Sequence, residues 1–274
     1  MNINGIEITV GADPEIFIGH GPEPVSAYGV VPGTKQEPFR VERGAVQVDG
    51  MATEFNIDPA NTSEEFQLNL TTVMNQLKSM IGDCEFIDTA SIDFSDEIIK
   101  TQPLEALLLG CEPDYNAYTL EENPTPVPPG NMRTAGGHIH IGGLPSDDPQ
   151  SPQHLQTMSR LIKAMDECIG TYSIFWDRDD RRRSMYGMAG AMRPKSYGVE
   201  YRSLSNKWIF NENLVKFVYD GVARSLERAF DVKWKPQSVS RNIINFNMRE
   251  PFQVFDAKLI KRVEDITGMK AFKI

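Results

Sequence analysis

The sequence is poor in cysteine and histidine, short of positive charge and without long apolar runs. Each shortage closes off a class of protein. Its 274 residues hold three cysteines (Cys84, Cys111, Cys168), an odd number with no CxxC spacing. That excludes a disulfide framework and a zinc–thiolate site and fits a reducing, cytoplasmic setting. No apolar stretch nears the roughly 20 residues of a membrane-spanning helix. The opening MNINGIEITVGADPE lacks the basic-then-apolar layout of a secretory signal. The net charge of −10 argues against bulk nucleic-acid binding, which needs cations to replace phosphate counterions, and against an anionic membrane surface. There is no GxGxxG and no HExxH, and in GAMRPKS a proline, Pro194, stands before Lys195 where a phosphate loop needs glycine. No internal repeat or low-complexity segment is present. What remains is 40% hydrophobic and 24% charged, an ordinary globular composition long enough for one sizeable core.

The N-terminal third reads as short strands at 6–10, 15–18, 46–48 and 53–57, punctuated by Gly, Pro and Asp. Thr62 and Glu65 form a capping box for a helix with Phe66, Leu70, Val73, Met74, Leu77 and Ile81 on one face. The Pro/Asn/Gly-rich stretch 111–134 is expected to be a long loop, a kind that is usually functional or mobile. A strand at 138–141 follows. Ser151 and Pro152 then start a second helix with Leu155, Met158, Ile162, Met165 and Ile169 inward. A charged loop at 176–183 leads to a strand at 199–204. Asn211 caps a third helix with Leu214, Phe217, Val218, Val222 and Leu226 inward, and a last helix near 254–267 stops at Gly268. This order is not a β–α alternation. It implies an α+β fold, an antiparallel or mixed sheet with helices stacked on one face. The chain reads as a single catalytic domain, 1–274, with about 231–274 as a candidate C-terminal helical appendage.

Polar residues recur at i and i+2 in the strand candidates: Asp13 and Glu15, Glu54 and Asn56, His138 and His140, Glu200 and Arg202, and more weakly Asp49 with Met51. Positions i and i+2 share a strand face, so these side chains converge on the floor of a cleft if helices cover the other face. Two carboxylates about 4 Å apart repel by about 4 kcal/mol at an effective dielectric near 20, which a divalent cation offsets. A carboxylate-rich site with few nitrogens favours Mg²⁺ or Mn²⁺ over zinc. Arg202 adds a fixed cation suited to a phosphate or carboxylate oxygen. Nucleotide phosphates bridged by metal match that chemistry. Each piece also has a purely structural reading. Asp13-Pro14 is a common turn dipeptide, and Glu200 with Arg202 can be an exposed ion pair. Arg178, Arg181, Arg182 and Arg183 can form a solvated loop or an anion site. His20 and His154 look incidental. GGHIHIGG, 136–143, is the most specific signal: two of the four histidines alternate with isoleucine between glycine pairs that permit close approach of a ligand or of backbone.

In this order, GADPEIF, VDGMATEFNIDPA, GCEPDY, RTAGGHIHIG and YGVEYRSLSNKW resemble the phage and bacterial carboxylate–amine ligases (amidoligases) of the glutamine synthetase-like superfamily. The likeness runs to about Trp208 and extends to the glutamate–cysteine ligase-like branch. It implies a curved, mainly antiparallel sheet forming a half-open funnel with helices outside it. It implies ATP with Mg²⁺ or Mn²⁺, and an amide bond made through an acyl phosphate. Carried over, Glu15, Glu54, His138 and Glu200 are metal ligands, and His140 contacts metal or phosphate. Arg202 stabilises the transferring phosphoryl group, with Arg193 and Lys195 as further phosphate or carboxylate contacts. Asp13, Asp49 and Asn56 support the metal's ligands or hold its bound water, while Asp114, Arg182 and Arg183 are weaker substrate candidates. The expected partners are small-molecule or peptide carboxylates and amines, with homo-oligomerisation open and the host cytoplasm as the setting if the chain is phage-encoded. The chain leaves no room for the additional N-terminal domain of glutamine synthetase, so ammonia and glutamate are not implied. A metal-dependent amidohydrolase is the alternative enzyme, but only His20 and His154 remain to complete its ligands and barrel alternation is missing. A non-catalytic ligase-fold module is the third reading, and no acidic motif position is lost.

Overall fold

A computed structural model describes residues 1–107, 114–126, 129–246 and 256–268. Its centre is a ten-stranded sheet, antiparallel at every pairing. The order across it is Tyr115–Asn116, Ala191–Lys195, Gly198–Tyr201, Gly137–Gly142, Thr9–His20, Ala52–Ile57, Gly44–Asp49 and Phe39–Val41. Glu23–Val25 and Glu85–Ile87 pair with the far end of Thr9–His20.

Alternation decides which face does what. Val10, Ala12, Ile16, Phe55, Ile139, Ile141, Val199 and Tyr201 are buried in the main core. Helices Ser63–Met80, Pro152–Met165 and Glu212–Phe230 supply Phe66, Leu70, Val73, Met158, Ile162, Phe217, Val218 and Val222 to that core. The first packs on the Gly44–Asp49 and Ala52–Ile57 strands, the second on Ala191–Lys195 and Gly198–Tyr201, and the third against both helices. The α+β expectation, a large antiparallel sheet with helices, is what the chain forms. Among the described residues no helix is long and apolar enough to cross a membrane.

Several local expectations change. Asp13-Pro14 is not a turn: both lie inside the 12-residue strand Thr9–His20. Glu15 N–H donates to the Gly136 carbonyl, so by alternation the missing Pro14 donor faces Ala52–Ile57, whose ladder begins only at Glu15. The Thr62 hydroxyl caps Glu65 N–H, but Glu65 returns to Asn61 N–H rather than to Thr62. Ser151 holds the N-cap position without a side-chain bond, and its helix runs on into a π turn, Asp166–Gly170. The strand expected to reach Leu204 stops at Tyr201, and a hairpin partner, Ala191–Lys195, precedes it. Asp49 belongs with Gln47 on Gly44–Asp49, while Met51 sits in the following turn and is buried. The expected charged loop holds a short helix, Asp180–Arg183, capped by Asp179, with Arg182 and Arg183 buried rather than solvated. The expected long loop includes strands Tyr115–Asn116 and Met132–Thr134. The last helix is Ala257–Thr267, and Val254 and Cys111 lie outside the described residues. An unanticipated helix, Val239–Phe246, precedes it, and Ile243 and Val263 both join the main core.

Candidate active site

The polar face of the sheet is read off the register. Glu200 lies opposite both His140 and Arg193, His138 opposite Asp13, and Glu54 opposite both Glu15 and Gln47. Antiparallel partners share a face, with Cβ atoms about 4.5–5.5 Å apart. Five strands therefore set acids, imidazoles and guanidiniums side by side, as the i, i+2 pattern predicts. Two neighbouring cavities open on this face. One, of about 110 Å³, has Asp13, Glu15, Glu54, His138, Arg182 and Arg202 in its wall; the other, of about 530 Å³, has Gly11, Asn56, His140, Gly142 and Tyr197. Asp13 and Glu54 border both.

Glu200 is 1% exposed and is the anionic hub. Arg202 Nη1 donates to it, Arg193 Nη1 stands at 3.3 Å, Lys195 Nζ at 3.6 Å and His138 Nδ1 at 3.4 Å. Burial and Asp13 push its carboxyl up, but Arg202, His138 and His140 outweigh them and hold it below the usual range. Asp13 follows the same pattern: burial raises it, and His140 and His138 pull it well below the carboxylate norm. Burial lowers the His140 imidazole, but Asp13 more than restores it, to a raised value. Glu54 goes the other way. Burial first, then Asp13, Asp49 and Glu15, push it well above its ordinary value, and Lys35 does not compensate. Its Oε2 accepts from Gln47 Nε2 at 2.7 Å. Glu15 Oε2 accepts from Gly136 N–H at 2.7 Å. Asp49 is paired with Lys35 at 2.7 Å.

A metal ion fits this donor set. Asp13, His140 and Glu200 each bring a ligand atom within 4.8 Å of the others. Asp13 Oδ1 and His140 Nε2 face each other at 3.0 Å, and neither atom has a well-aligned hydrogen bond. Two cis ligands on an octahedron with bonds near 2.1 Å stand about 3.0 Å apart, so the spacing suits a shared cation. Two oxygens and one imidazole suit Mn²⁺ or Mg²⁺. Of the expected ligands, Glu15, Glu54 and His138 line the adjoining cavity, and Glu200 belongs to the tight triad.

The structure gathers most of the expected residues and scatters a few. Arg193, Lys195 and Arg202 converge on Glu200. Asp114 accepts from Asn123 and is paired with Arg202 Nε at 3.3 Å, so its carboxylate holds the arginine. Arg182 lines the cavity. Arg183 turns away from it into an ion pair with Asp177 at 3.2 Å. His154 is buried against the Gly198 carbonyl and His20 lies beside Cys84, so neither joins the site.

Three residues escaped the sequence reading. Tyr197, on the turn between the two hairpin strands, places its hydroxyl 2.5 Å from His140 Nδ1. Arg133 lines the cavity from the Met132–Thr134 strand, and Lys35 from a loop. Tyr197 and Arg133 left a signal, since each lies in a motif already singled out, Tyr197 three positions before Glu200 and Arg133 at the head of RTAGGHIHIG. The flanking glycines serve the protein itself. A Cβ on Gly136 would strike the His138 ring, and Gly143, at φ +93°, packs against the Glu7 carbonyl.

No curated protein matches the chain. Among solved structures, a bifunctional glutathione synthetase from Pasteurella multocida is similar at 11% identity and a TM-score of 0.39, over 96% of this chain and 47% of that one. The chain thus spans about half of that protein's length. Residues 127–229, which carry His138, His140, Arg193, Glu200 and Arg202, match the family model described as "Phage phiEco32-like COOH.NH2 ligase-type 2".

Proposed function

We propose that the chain is an ATP-dependent carboxylate–amine ligase with a glutamine synthetase-like sheet. It acts on a small-molecule or peptide acid and an amine in the cytoplasm, that of the host if the gene is a phage's. The observation that carries this reading is the row Arg193–Glu200–His140 beside His138–Asp13 and Glu15–Glu54 on one sheet face, within and next to the segment similar to a ligase family. In the reaction a carboxylate oxygen of the acid attacks the γ-phosphorus of ATP, and the bond to ADP breaks. The amine nitrogen then attacks the acyl phosphate, phosphate leaves with the bonding pair, and the amine loses a proton. Arg193, Lys195 and Arg202 present cations where phosphate charge develops. Asp13, His140 and Glu200, with Glu15 and Glu54 beside them, would hold Mg²⁺ or Mn²⁺, which supplies charge neutralisation to the triphosphate. The larger cavity beside Gly11 and Gly142 has room for the nucleoside, leaving the cavity at Glu15 for the acid.

The test is ADP release with Mn²⁺ against a panel of acids and amines. ADP formed in step with amide, and only when acid and amine are both present, supports the reading. Nucleotide-independent turnover, or no binding of a non-hydrolysable ATP analogue with Mn²⁺, refutes it.

A further inference from the structure

Behind the sheet lies a buried acid that no step of the proposed reaction uses. Asp166 is fully buried at the start of the π turn Asp166–Gly170. Its Oδ1 accepts from the Tyr201 hydroxyl at 2.8 Å and its Oδ2 from the Tyr118 hydroxyl at 2.9 Å. Burying a carboxyl costs more than filling the same volume with apolar groups, so stability alone does not account for it.

Its two partners show what it fixes. Tyr201 is in the core, between Glu200 and Arg202, which meet on the opposite face. Tyr118 follows the strand Tyr115–Asn116, and Asp114, just before that strand, holds Arg202 Nε at 3.3 Å. Asn123 closes this segment on itself: its Nδ2 donates to Asp114 Oδ1 at 2.9 Å and its N–H to the Asp114 carbonyl at 2.8 Å. Asn116 Oδ1 accepts from Tyr118 N–H at 2.9 Å. An arginine and its carboxylate partner, 88 positions apart, thus hang from the two oxygens of one acid. The nitrogens of Arg202 register the result. Nε goes to Asp114 and Nη1 to Glu200, while Nη2 has no hydrogen bond among the described residues. Two anions at fixed positions lock a planar guanidinium and leave its remaining nitrogen for a ligand.

The C-terminal segment presses on the same frame. Arg241, on Val239–Phe246, lies 5.6 Å from the centroid of the Tyr118 ring, and Lys163 lies at 5.4 Å. Asn245, on the same helix, accepts from Ala189 N–H at 2.7 Å, just before the strand Ala191–Lys195. Between them, a Cβ on Gly190 would strike the Tyr118 ring.

Resting on the ligase reading above, we propose that Asp166 is a positioning residue: through Tyr118 and Tyr201 it holds Asp114 against Arg202 and so aims Arg202 Nη2 at the phosphate in the cavity.

The experiment reads Arg202 first and its ligand second. In the ¹⁵N-labelled whole chain, the Arg202 Nε–H signal, identified by its loss in Arg202→Lys, reports the bond to Asp114. Asp114→Asn shows where the signal goes when that charge is removed. Tyr118→Phe, which keeps the ring, should move the signal toward the Asp114→Asn position, and Asp166→Ala should move it at least as far. Tyr118→Phe should also weaken binding of a non-hydrolysable ATP analogue with Mn²⁺ by about 10-fold. In the Asp114→Asn background the same substitution should change that binding by less than about 2-fold, because both act through one contact. Tyr172→Phe is the control. It removes another buried hydroxyl, the one that accepts from Asp256 N–H at 2.9 Å, and should lower Tm with neither readout changed. An Arg202 signal unmoved in Tyr118→Phe overturns the proposal. So do additive losses of analogue binding in the double variant, or equal effects from Tyr172→Phe, which assign the changes to stability. Failure of the analogue to bind wild-type protein instead overturns the ligase reading, and the Arg202 signal still decides whether Asp166 positions Asp114.

Discussion

Replacing Glu200 by Gln tests the site's electrostatics through stability alone. The wild-type carboxylate, 1% exposed, faces Arg202, Arg193, Lys195 and His138. Gln keeps the volume and can still accept from Arg202, but it leaves a group of cations without their anion. Breaking a buried pair from one side costs about 3–5 kcal/mol. Because Arg193 and Lys195 keep some access to water, the lower end, about 3 kcal/mol, is expected. In a chain of this size that is a fall in Tm of roughly 6–12 °C. The pH dependence has a definite sign. The folded Glu200 carboxyl titrates below its unfolded value, so its stabilisation is fully present above the unfolded pKa and is lost as pH falls through the folded one. Urea unfolding followed by tryptophan fluorescence, which includes the buried Trp208, should therefore show a wild-type advantage that is widest at neutral pH and narrows in acid. Arg202→Met in the Gln background should recover part of the loss. A cost under about 1 kcal/mol, or a cost constant from pH 3 to 8, would refute the picture of a dry hub that holds three cations.

Three further outcomes follow from the same geometry. Tyr197→Phe removes the hydroxyl at His140 Nδ1 that fixes which ring nitrogen faces Asp13; Mn²⁺ affinity by calorimetry should fall about 10-fold, with Tm nearly unchanged. Glu54→Gln should stabilise the metal-free protein above neutral pH by on the order of 1–2 kcal/mol, since it removes a buried, crowded charge. The folded Glu54 value lies above its unfolded one, so wild-type stability declines as pH rises between the two and the variant should lack that decline. Asp166, buried between the hydroxyls of Tyr118 and Tyr201 at 2.9 and 2.8 Å, is pushed up to about 7, chiefly by burial; wild-type stability should fall from about pH 4 to 7 by up to about 1.4 kcal/mol per pH unit, and Asp166→Asn should flatten that slope in urea titrations.

The residues that the sequence revealed are those whose periodicity matched one face of one element. Glu54, His138, His140 and Glu200 alternate with buried apolar partners, so their common face follows from strand geometry. The three amphipathic helices were legible for the same reason, Leu214, Phe217, Val218, Val222 and Leu226 all being buried. The burial of Arg182 and Arg183 is not legible in a run of charge, because only tertiary packing supplies the carbonyls of Ser203 and Arg202 and the carboxylate of Asp177. Arg133 carries no local periodicity at all; its role depends on a strand pairing with Ser91–Asp93. Asp13 is less legible, because Asp-Pro by itself suggests a turn; inside a strand it faces both histidines.

The long strand Thr9–His20 also has a history in time. Glu15 is bonded to Gly136, 121 positions later, and its carbonyl to Asn206, 191 positions later. A nascent chain emerging at about 5–20 residues per second exposes Thr9–His20 as an open edge for many seconds before either partner exists. Contacts of such sequence separation close slowly, so the site's acids meet only near the end of folding. Bare edges invite pairing with other chains. Slower synthesis lengthens that exposure, so co-expression with a chaperone that covers bare strands should raise the soluble yield more than slowing synthesis does.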